Sequence, residues 1–564
     1  MKKSAILLFL ILSSSIIFSQ ELLTPELQSK YHMISSDELN IKGYNSKSFV
    51  QTPPPTGGVR NIAEFERNQG VIVSHIGYFG IPLTLISELS EDVLVYIVCE
   101  SGDQSSINSS LNSAGVNMGN IIYVNETLDS YWARDYSPWF IEYGTNNEVG
   151  IVNFPYNRPR PNDNDLPITL GDYFDLEVFG MNLEHTGGNY MTDGMGIAAS
   201  CDLVYDENPG LSPAQVASLV ENYLGITEYK LVQDPLDDYI EHIDCWGKFL
   251  DVDKMLVARV PSSDYRYADF EAMADYWANQ TSSYGNKYNV YRTDWVVNGN
   301  AYTNSLIMNN KVFVAFNTGS AGNYNAAAAA AYEEAMPGYE IIGISYNSWA
   351  STDALHCRTH EVPDFETLRI LHYPYFDTVT YQTQFVFEAD VYSFNNSNNI
   401  NSVKLIYKVN EGSFIETNMA NAGGNLYNVT IDSFNPGDKI EYYIQAIDDR
   451  PKTETHPFIG SADPHVFVIE EVSGISNHKS YSYIKAFPNP ANDVLYLITN
   501  NLPEENYSIE ILDQQGRIVK NIHLTSVTTE WELQGINISD LKSGLYYTKA
   551  VSEKSIFTTK FIKL

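Results

Sequence analysis

From Val71 to about residue 375, short apolar runs bounded by turn residues alternate with longer stretches of mixed polar and apolar positions. V-I-V-S, V-L-V-Y-I-V-C ending at Cys99, V-G-I-V-N-F ending at Phe154, M-L-V-A-R-V ending at Val260, K-V-F-V-A-F ending at Phe316 and Y-E-I-I-G-I-S ending at Ser345 predict strands. Helices are predicted between them. Ser212 followed by Pro213 opens one, and Gly225 sits just past its last turn. A second is expected over 264–279, and an alanine-rich third over 326–336, stopped by Pro337 and Gly338. Alternating strands and helices imply an α/β domain, set at residues 59–375.

The pattern changes after that. Over 380–470, strand-like runs such as Q-F-V-F-E-A-D-V-Y and I-E-Y-Y-I-Q-A-I-D alternate with Asn/Gly-rich turns, the spacing of an immunoglobulin-like β-sandwich. A linker, S-G-I-S-N-H-K-S, leads to a second small all-β module over 484–564, opening with F-P-N-P and ending F-I-K-L. At the other end, M-K-K precedes an apolar run from Ala5 to Phe18 and then S-Q-E, which predicts a signal peptide over 1–19. Residues 20–58, ending T-P-P-P-T-G-G, read as an N-terminal arm or pro-segment. No other apolar stretch is long enough for a transmembrane helix.

Composition narrows the function. A chain of 564 residues allows two to four domains, and 44% hydrophobic residues supply ample core. The net charge of -36 disfavours nucleic acid as a partner, because phosphates would be repelled, and suits a cationic substrate. Cysteines stand at Cys99, Cys201, Cys245 and Cys357, too few for a disulfide-stapled scaffold.

Four clusters carry candidate chemistry. Y-W-A-R-D-Y-S-P-W offers Trp132, Arg134 and Asp135. H-T-G-G-N offers Gly188 and Asn189, with Gly187 and Gly188 permitting close backbone approach to a ligand. Y-I-E-H-I-D-C-W places His242 and Asp244 two apart, on one face if the segment is a strand. D-A-L-H-C-R-T-H holds Cys357 among His356, Arg358 and His360, where the thiol is expected to be partly exposed and its thiolate favoured by nearby positive charge. Asp135, Asn189, His242, Asn304 and Cys357 follow one another at intervals of 53 to 62 residues, which suggests about five structural units whose loops meet at one cleft. Two carboxylates beside a thiol would oppose the anionic transition state of peptide hydrolysis, whereas a planar guanidinium cation is held well between them.

The clusters E-F-E-R-N-Q-G, W-A-R-D, H-T-G-G-N, E-H-I-D, T-N-S-L and A-L-H-C-R-T-H resemble those of the guanidine-modifying superfamily, in its agmatine deiminase and bacterial peptidylarginine deiminase branch. The resemblance implies a pseudo-fivefold α/β propeller, with Cys357 as nucleophile, His242 as acid/base, Asp135 and Asp244 as guanidinium ligands and Asn304 as a further active-site position. No metal or other cofactor is implied; Asp163 and Asp165 are acidic but lack the partners of a calcium loop. In N-R-P-R-P, Arg158 and Arg160 flank Pro159; the resemblance makes them a clamp for the carboxylate of a C-terminal arginine, whereas they would repel the ammonium of agmatine. The last module resembles a type A sorting domain of the type IX secretion system, which implies export and contact with that machinery. The expected function is conversion of peptidylarginine to peptidylcitrulline and ammonia. The alternatives are an agmatine or free-arginine deiminase and a non-enzymatic surface adhesin.

Overall fold

The computed structural model describes residues 49–236, 240–295, 301–394, 399–450, 452–470, 483–487, 489–500, 507–524, 535–552 and 555–564. The proposed signal peptide and nearly all of the arm lie outside them. The chain divides into two compact units, Met1–Glu471 and Val472–Leu564.

The first unit contains one α/β motif five times. In each, a turn leads into a strand that pairs antiparallel with the next strand; a helix then returns the chain to a third strand, parallel to the second. The first set is Trp139–Tyr143, Glu148–Asn153 and Glu177–Gly180, with helix Pro161–Phe174. The second is Met191–Thr192, Ile197–Cys201 and Glu228–Val232, with helix Pro213–Leu224. Gly247–Asp251, Lys254–Arg259 and Asn289–Asp294 form the third around helix Tyr267–Asn279. Leu306–Met308, Lys311–Phe316 and Glu340–Ser345 form the fourth around helix Asn325–Ala335. The fifth joins distant stretches: His360–Pro363 pairs with Asn68–Ser74, which runs parallel to Leu94–Cys99 across helix Leu83–Asp92. The strand expectations hold, and the third helix is one residue displaced. The second begins at Tyr267 rather than 264, because the Asp264 side chain bonds the Arg266 backbone N–H at 3.0 Å and keeps that stretch in a turn.

The helices owe their positions to one apolar face and to their ends. Val216, Val220, Tyr223 and Leu224 bury one side of Pro213–Leu224. The Ser212 N–H donates to Gln215 Oε1 at 2.9 Å, and Gly225 takes φ 70° to stop the last turn. Its backbone lies so close to Val59 O that an added Cβ would stand 2.0 Å away.

Two further sheets follow in the same unit. Leu368–Leu371, Phe385–Ser393, Leu426–Ile431 and Ala420–Gly423 form one; Asp377–Val379, His465–Ile469, Lys439–Asp448, Ile400–Val409 and Ile415–Asn418 form the other, with Thr453–His456 beside Lys439–Asp448. Phe385, Phe387, Leu405, Tyr442 and Phe467 lie in their common core. Phe385–Ser393 buries alternate residues, as a strand with one covered face must. Against the α/β part, Arg67 grips Glu454 at 2.8 Å, and His456 stands 3.2 Å from the Tyr284 hydroxyl and 3.0 Å from His465. His372, buried and 2.9 Å from Tyr442, completes a histidine cluster whose other two members are half-buried.

The second unit is all-β. Tyr483–Phe487, Val494–Asn500 and Gly535–Asn537 make one sheet; Ile518–Leu524, Tyr507–Leu512, Gly544–Val551 and Ile556–Lys563 make the other.

Candidate active site

Asp135, Asn189, His242, Asn304 and Cys357 each sit in the turn that precedes the first strand of one of the five motifs. Asp135 lies in the short helix Ala133–Tyr136, Asn189 ends the turn Gly187–Asn189, His242 precedes the turn Ile243–Cys245, Asn304 precedes Leu306–Met308, and Cys357 is in the turn His356–Arg358. The even spacing in the sequence is thus one position of a repeated motif.

Asn304 organises the cysteine turn. Its Oδ1 accepts the backbone N–H groups of Ala354 at 3.0 Å and Cys357 at 3.3 Å, and its Nδ2 stands 3.1 Å from the Cys357 sulfur. Oδ2 of Asp244 lies 3.5 Å from the same sulfur and 2.6 Å from Nδ1 of His356. Across the site, Nδ1 of His242 is 3.7 Å from Oδ1 of Asp135, and the Tyr156 hydroxyl points at Oδ2 of Asp135 from 3.4 Å.

Two expectations need correction. Cys357 is fully buried rather than partly exposed. Burial pushes its thiol well above the ordinary value, Cys245 pulls the other way, and Asp244, Asp353 and Asp135 add to the rise. The flanking groups do not outweigh that burial. Arg358 is spent on the backbone, donating to Gly80 O at 2.5 Å, Ser348 O at 3.0 Å and Asp353 O at 2.9 Å, with Trp132 and Trp349 5.0 Å from its guanidinium carbon. Trp132 is likewise buried against this arginine. His360 has its pKa lowered to about 4 by burial. Second, His242 and Asp244 are not on a strand; the turn Ile243–Cys245 carries the chain from one to the other. The glycine pair is also needed by the protein's own packing. A Cβ on Gly187 would stand 2.0 Å from Arg134 O, and one on Gly188 2.5 Å from His242 Nδ1 and 2.8 Å from Asp135 Oδ1. Asn189, beside them, accepts the Cys201 N–H at 2.7 Å and holds the turn to the neighbouring strand.

Arg160 is buried and Arg158 half-buried, and the Tyr156 phenol lies in the fields of both and of Asp135. Burial pushes Asp163 up to about 7 against the pull of Arg160; its carboxylate accepts the N–H groups of Asp129 and Ser130 at 2.7 and 3.1 Å.

A charged layer beneath the site was not foreseen. Oε2 of Glu64 stands 2.9 Å from Nε2 of His356 and 2.7 Å from Nζ of Lys248. Burial alone would raise the Glu64 carboxyl, but Lys248 and His356 hold it well below the usual range. Arg134 pairs with Glu361 at 2.6 Å. These residues, with Asp244, line a small pocket of about 50 Å³. A lysine inside the otherwise buried strand Gly247–Asp251 was the available signal, since a buried ammonium demands a carboxylate.

The model of the Porphyromonas-type peptidyl-arginine deiminase family matches residues 82–363, half of the chain. The chain belongs to that family. A secretion-system C-terminal sorting domain matches residues 485–564. A Yersinia pseudotuberculosis protein bearing the provisional name agmatine deiminase is 23% identical over 288 residues, 43% of this chain and 77% of the relative. A solved structure provisionally named agmatine deiminase superposes with TM-score 0.50 at 18% identity, covering 56% of this chain and 98% of its own. The agmatine deiminase of Enterococcus faecalis gives TM-score 0.49 at 16% identity, covering 55% and 99%. This member of the deiminase family is therefore an enzyme acting on guanidino groups, and its sorting domain directs it through the type IX machinery to a secreted or cell-surface location. Among the described residues, no helix is long and apolar enough to cross a membrane.

Proposed function

We propose that the enzyme hydrolyses peptidylarginine to peptidylcitrulline and ammonia, preferring arginine at a peptide C-terminus. Asp135 and Asp244 hold the guanidinium, and Cys357 adds to its central carbon. The buried thiol is poorly ionised in the free enzyme; an arriving guanidinium brings the positive charge that the site lacks and favours the thiolate at the moment of use. His242 protonates the departing ammonia, leaving a covalent thiouronium, then deprotonates the water that releases citrulline. Asn304, with Nδ2 3.1 Å from the sulfur, keeps the thiol aimed. Trp132, Gly188 and Asn189 support this pocket by packing rather than by direct contact with the chemistry.

The observation that carries the peptide reading is the pair Arg158 and Arg160, whose charges reach Tyr156 beside Asp135. Two guanidinium groups there match a carboxylate and repel an ammonium. We assign residues 59–375 to a pseudo-fivefold propeller, because the last strand of the repeat pairs with the first. We assign 380–470 to an immunoglobulin-like sandwich, because two sheets share the core of Phe387 and Tyr442, and 484–564 to the sorting module. The deciding experiment measures ammonia and citrulline from agmatine, free arginine, and peptides with terminal or internal arginine. Fastest turnover of terminal-arginine peptides is expected; agmatine as the best substrate would replace this reading with a small-molecule deiminase.

A further inference from the structure

Cys245 has no part in the deimination scheme, yet it adjoins the proposed guanidinium seat. One ligand atom each from Asp244, Cys245 and Cys357 lies within 4.8 Å of the others. The carboxylate bridges the two thiols: Oδ1 of Asp244 is 3.5 Å from the Cys245 sulfur, and Oδ2 is 3.5 Å from the Cys357 sulfur. All three residues are buried. Zinc–sulfur and zinc–oxygen bonds of about 2.3 and 2.1 Å set a sulfur–oxygen edge of about 3.6 Å in a tetrahedral site; each sulfur stands near that distance from a different oxygen of the carboxylate, so one oxygen must turn between them to bind. Behind the carboxylate, Nδ1 of His356 is 2.6 Å away and Glu64 backs the imidazole, the outer support that ligating carboxylates have in metal centres.

We propose that Asp244, Cys245 and Cys357 form an inhibitory site for a thiophilic divalent cation of the Zn²⁺ class. The metal takes no part in the reaction; it occupies the seat of the guanidinium and ties up the sulfur. The charge balance favours it. Two thiols and one carboxylate carry one negative charge, and a dication that displaces both thiol protons leaves the cluster with the same charge, so the buried site gains no uncompensated ion. Binding forms two metal–sulfur bonds and one metal–oxygen bond, and releases two protons to solvent.

Cobalt(II) is the spectroscopic probe and Zn²⁺ its competitor, with the full chain, reduced and metal-free. One equivalent of Co²⁺ should give a sulfur-to-cobalt charge-transfer band with release of two protons per metal in weakly buffered solution, and stoichiometric Zn²⁺ should bleach the band with no further proton release. Cys245→Ser should weaken Zn²⁺ binding at least tenfold. An arginine peptide should compete with the metal in wild type. Absence of the band from wild type overturns the proposal without use of any variant, as does equal Zn²⁺ affinity in a folded Cys245→Ser protein. The inhibitory half rests on Cys357 as nucleophile; the spectroscopic half does not, so turnover without metal binding, or metal binding without turnover, separates the two readings.

Discussion

His356 holds Asp244 by a 2.6 Å contact from Nδ1 while its other ring nitrogen stands 2.9 Å from Glu64. The imidazole is therefore a strut between a carboxylate proposed to touch substrate and a charged layer beneath it. His356→Gln removes the strut and leaves both carboxylates in place. A hydrogen bond to a charged group contributes about 1.5–3 kcal/mol, so kcat/KM should fall by tenfold to a hundredfold. Asp244→Asn should cost at least as much, and steady-state kinetics on both, with Cys357→Ala as the inactive reference, check this. Unchanged kinetics in His356→Gln would remove it from any role in positioning.

Replacing Arg158 and Arg160 by alanine together should raise KM for peptides ending in free arginine by tenfold to a hundredfold per arginine, with some non-additivity, since each charge-assisted contact is worth roughly 1.5–3 kcal/mol. Amidated peptides should change little. Equal loss on acid and amide forms would make these arginines structural.

The two glycines should separate stability from activity. Gly187→Ala forces a Cβ against the Arg134 carbonyl, a backbone group that cannot swing aside; overpacking of this kind costs about 1–3 kcal/mol or more, visible as a lowered Tm. Gly188→Ala instead presses on the side chains of His242 and Asp135, so turnover should drop further than Tm. The reverse order would contradict the contacts described.

Thiol chemistry gives a fourth test. Burial and three carboxylates keep Cys357 protonated at neutral pH, so a neutral haloacetamide should alkylate the free enzyme slowly, at a rate that rises with pH through the alkaline range. A haloacetamidine carries its own cation and should react far faster at pH 7. Rapid labelling by the neutral reagent at pH 6 would show a stable thiolate and overturn the substrate-charge argument.

The histidine cluster makes a prediction about acid. Burial lowers His372 to about 4, and burial with neighbouring positive charge, His372 first for His456 and His456 first for His465, holds those two well below 6.5. The unfolded chain binds protons below about 6.5 that the folded chain refuses, so this contribution lowers stability progressively as pH falls from about 6.5 toward 4. For His372 the full effect is roughly 3 kcal/mol at 1.36 kcal/mol per pH unit. Tm measured against pH for wild type and His372→Leu should diverge in slope over that window; parallel curves would refute the assignment. Asp163 and Glu207, pushed up to about 7 and 8 mainly by burial, act in the opposite sense in both proteins and cancel in the comparison.

The strands and the helix ends were legible because their causes are local: apolar runs bounded by turns, and Ser212, Pro213 and Gly225 at the edges of one helix. The spacing of Asp135, Asn189, His242, Asn304 and Cys357 was legible too, since one turn recurs in each motif. What escaped the sequence depended on distant partners. The burial of Cys357 follows from Asn304, Asp244 and the packing around them, and the direction of Arg358 from carbonyls at Gly80 and Ser348. Neither is encoded in the residues beside the cysteine. Glu64 stood in a quoted motif, but its role emerges only when Lys248 and His356 reach it.

The pairing of His360–Pro363 with Asn68–Ser74 has a bearing on when chemistry can begin. During synthesis or passage through the cell envelope, the segment carrying the nucleophile is the last of the five to emerge, and it must find a strand made long before. Contacts so far apart along the chain form slowly. Until they do, the turn that carries the thiol is not anchored beside its asparagine and carboxylates. Closure of this one ladder is therefore the step that completes the cysteine turn.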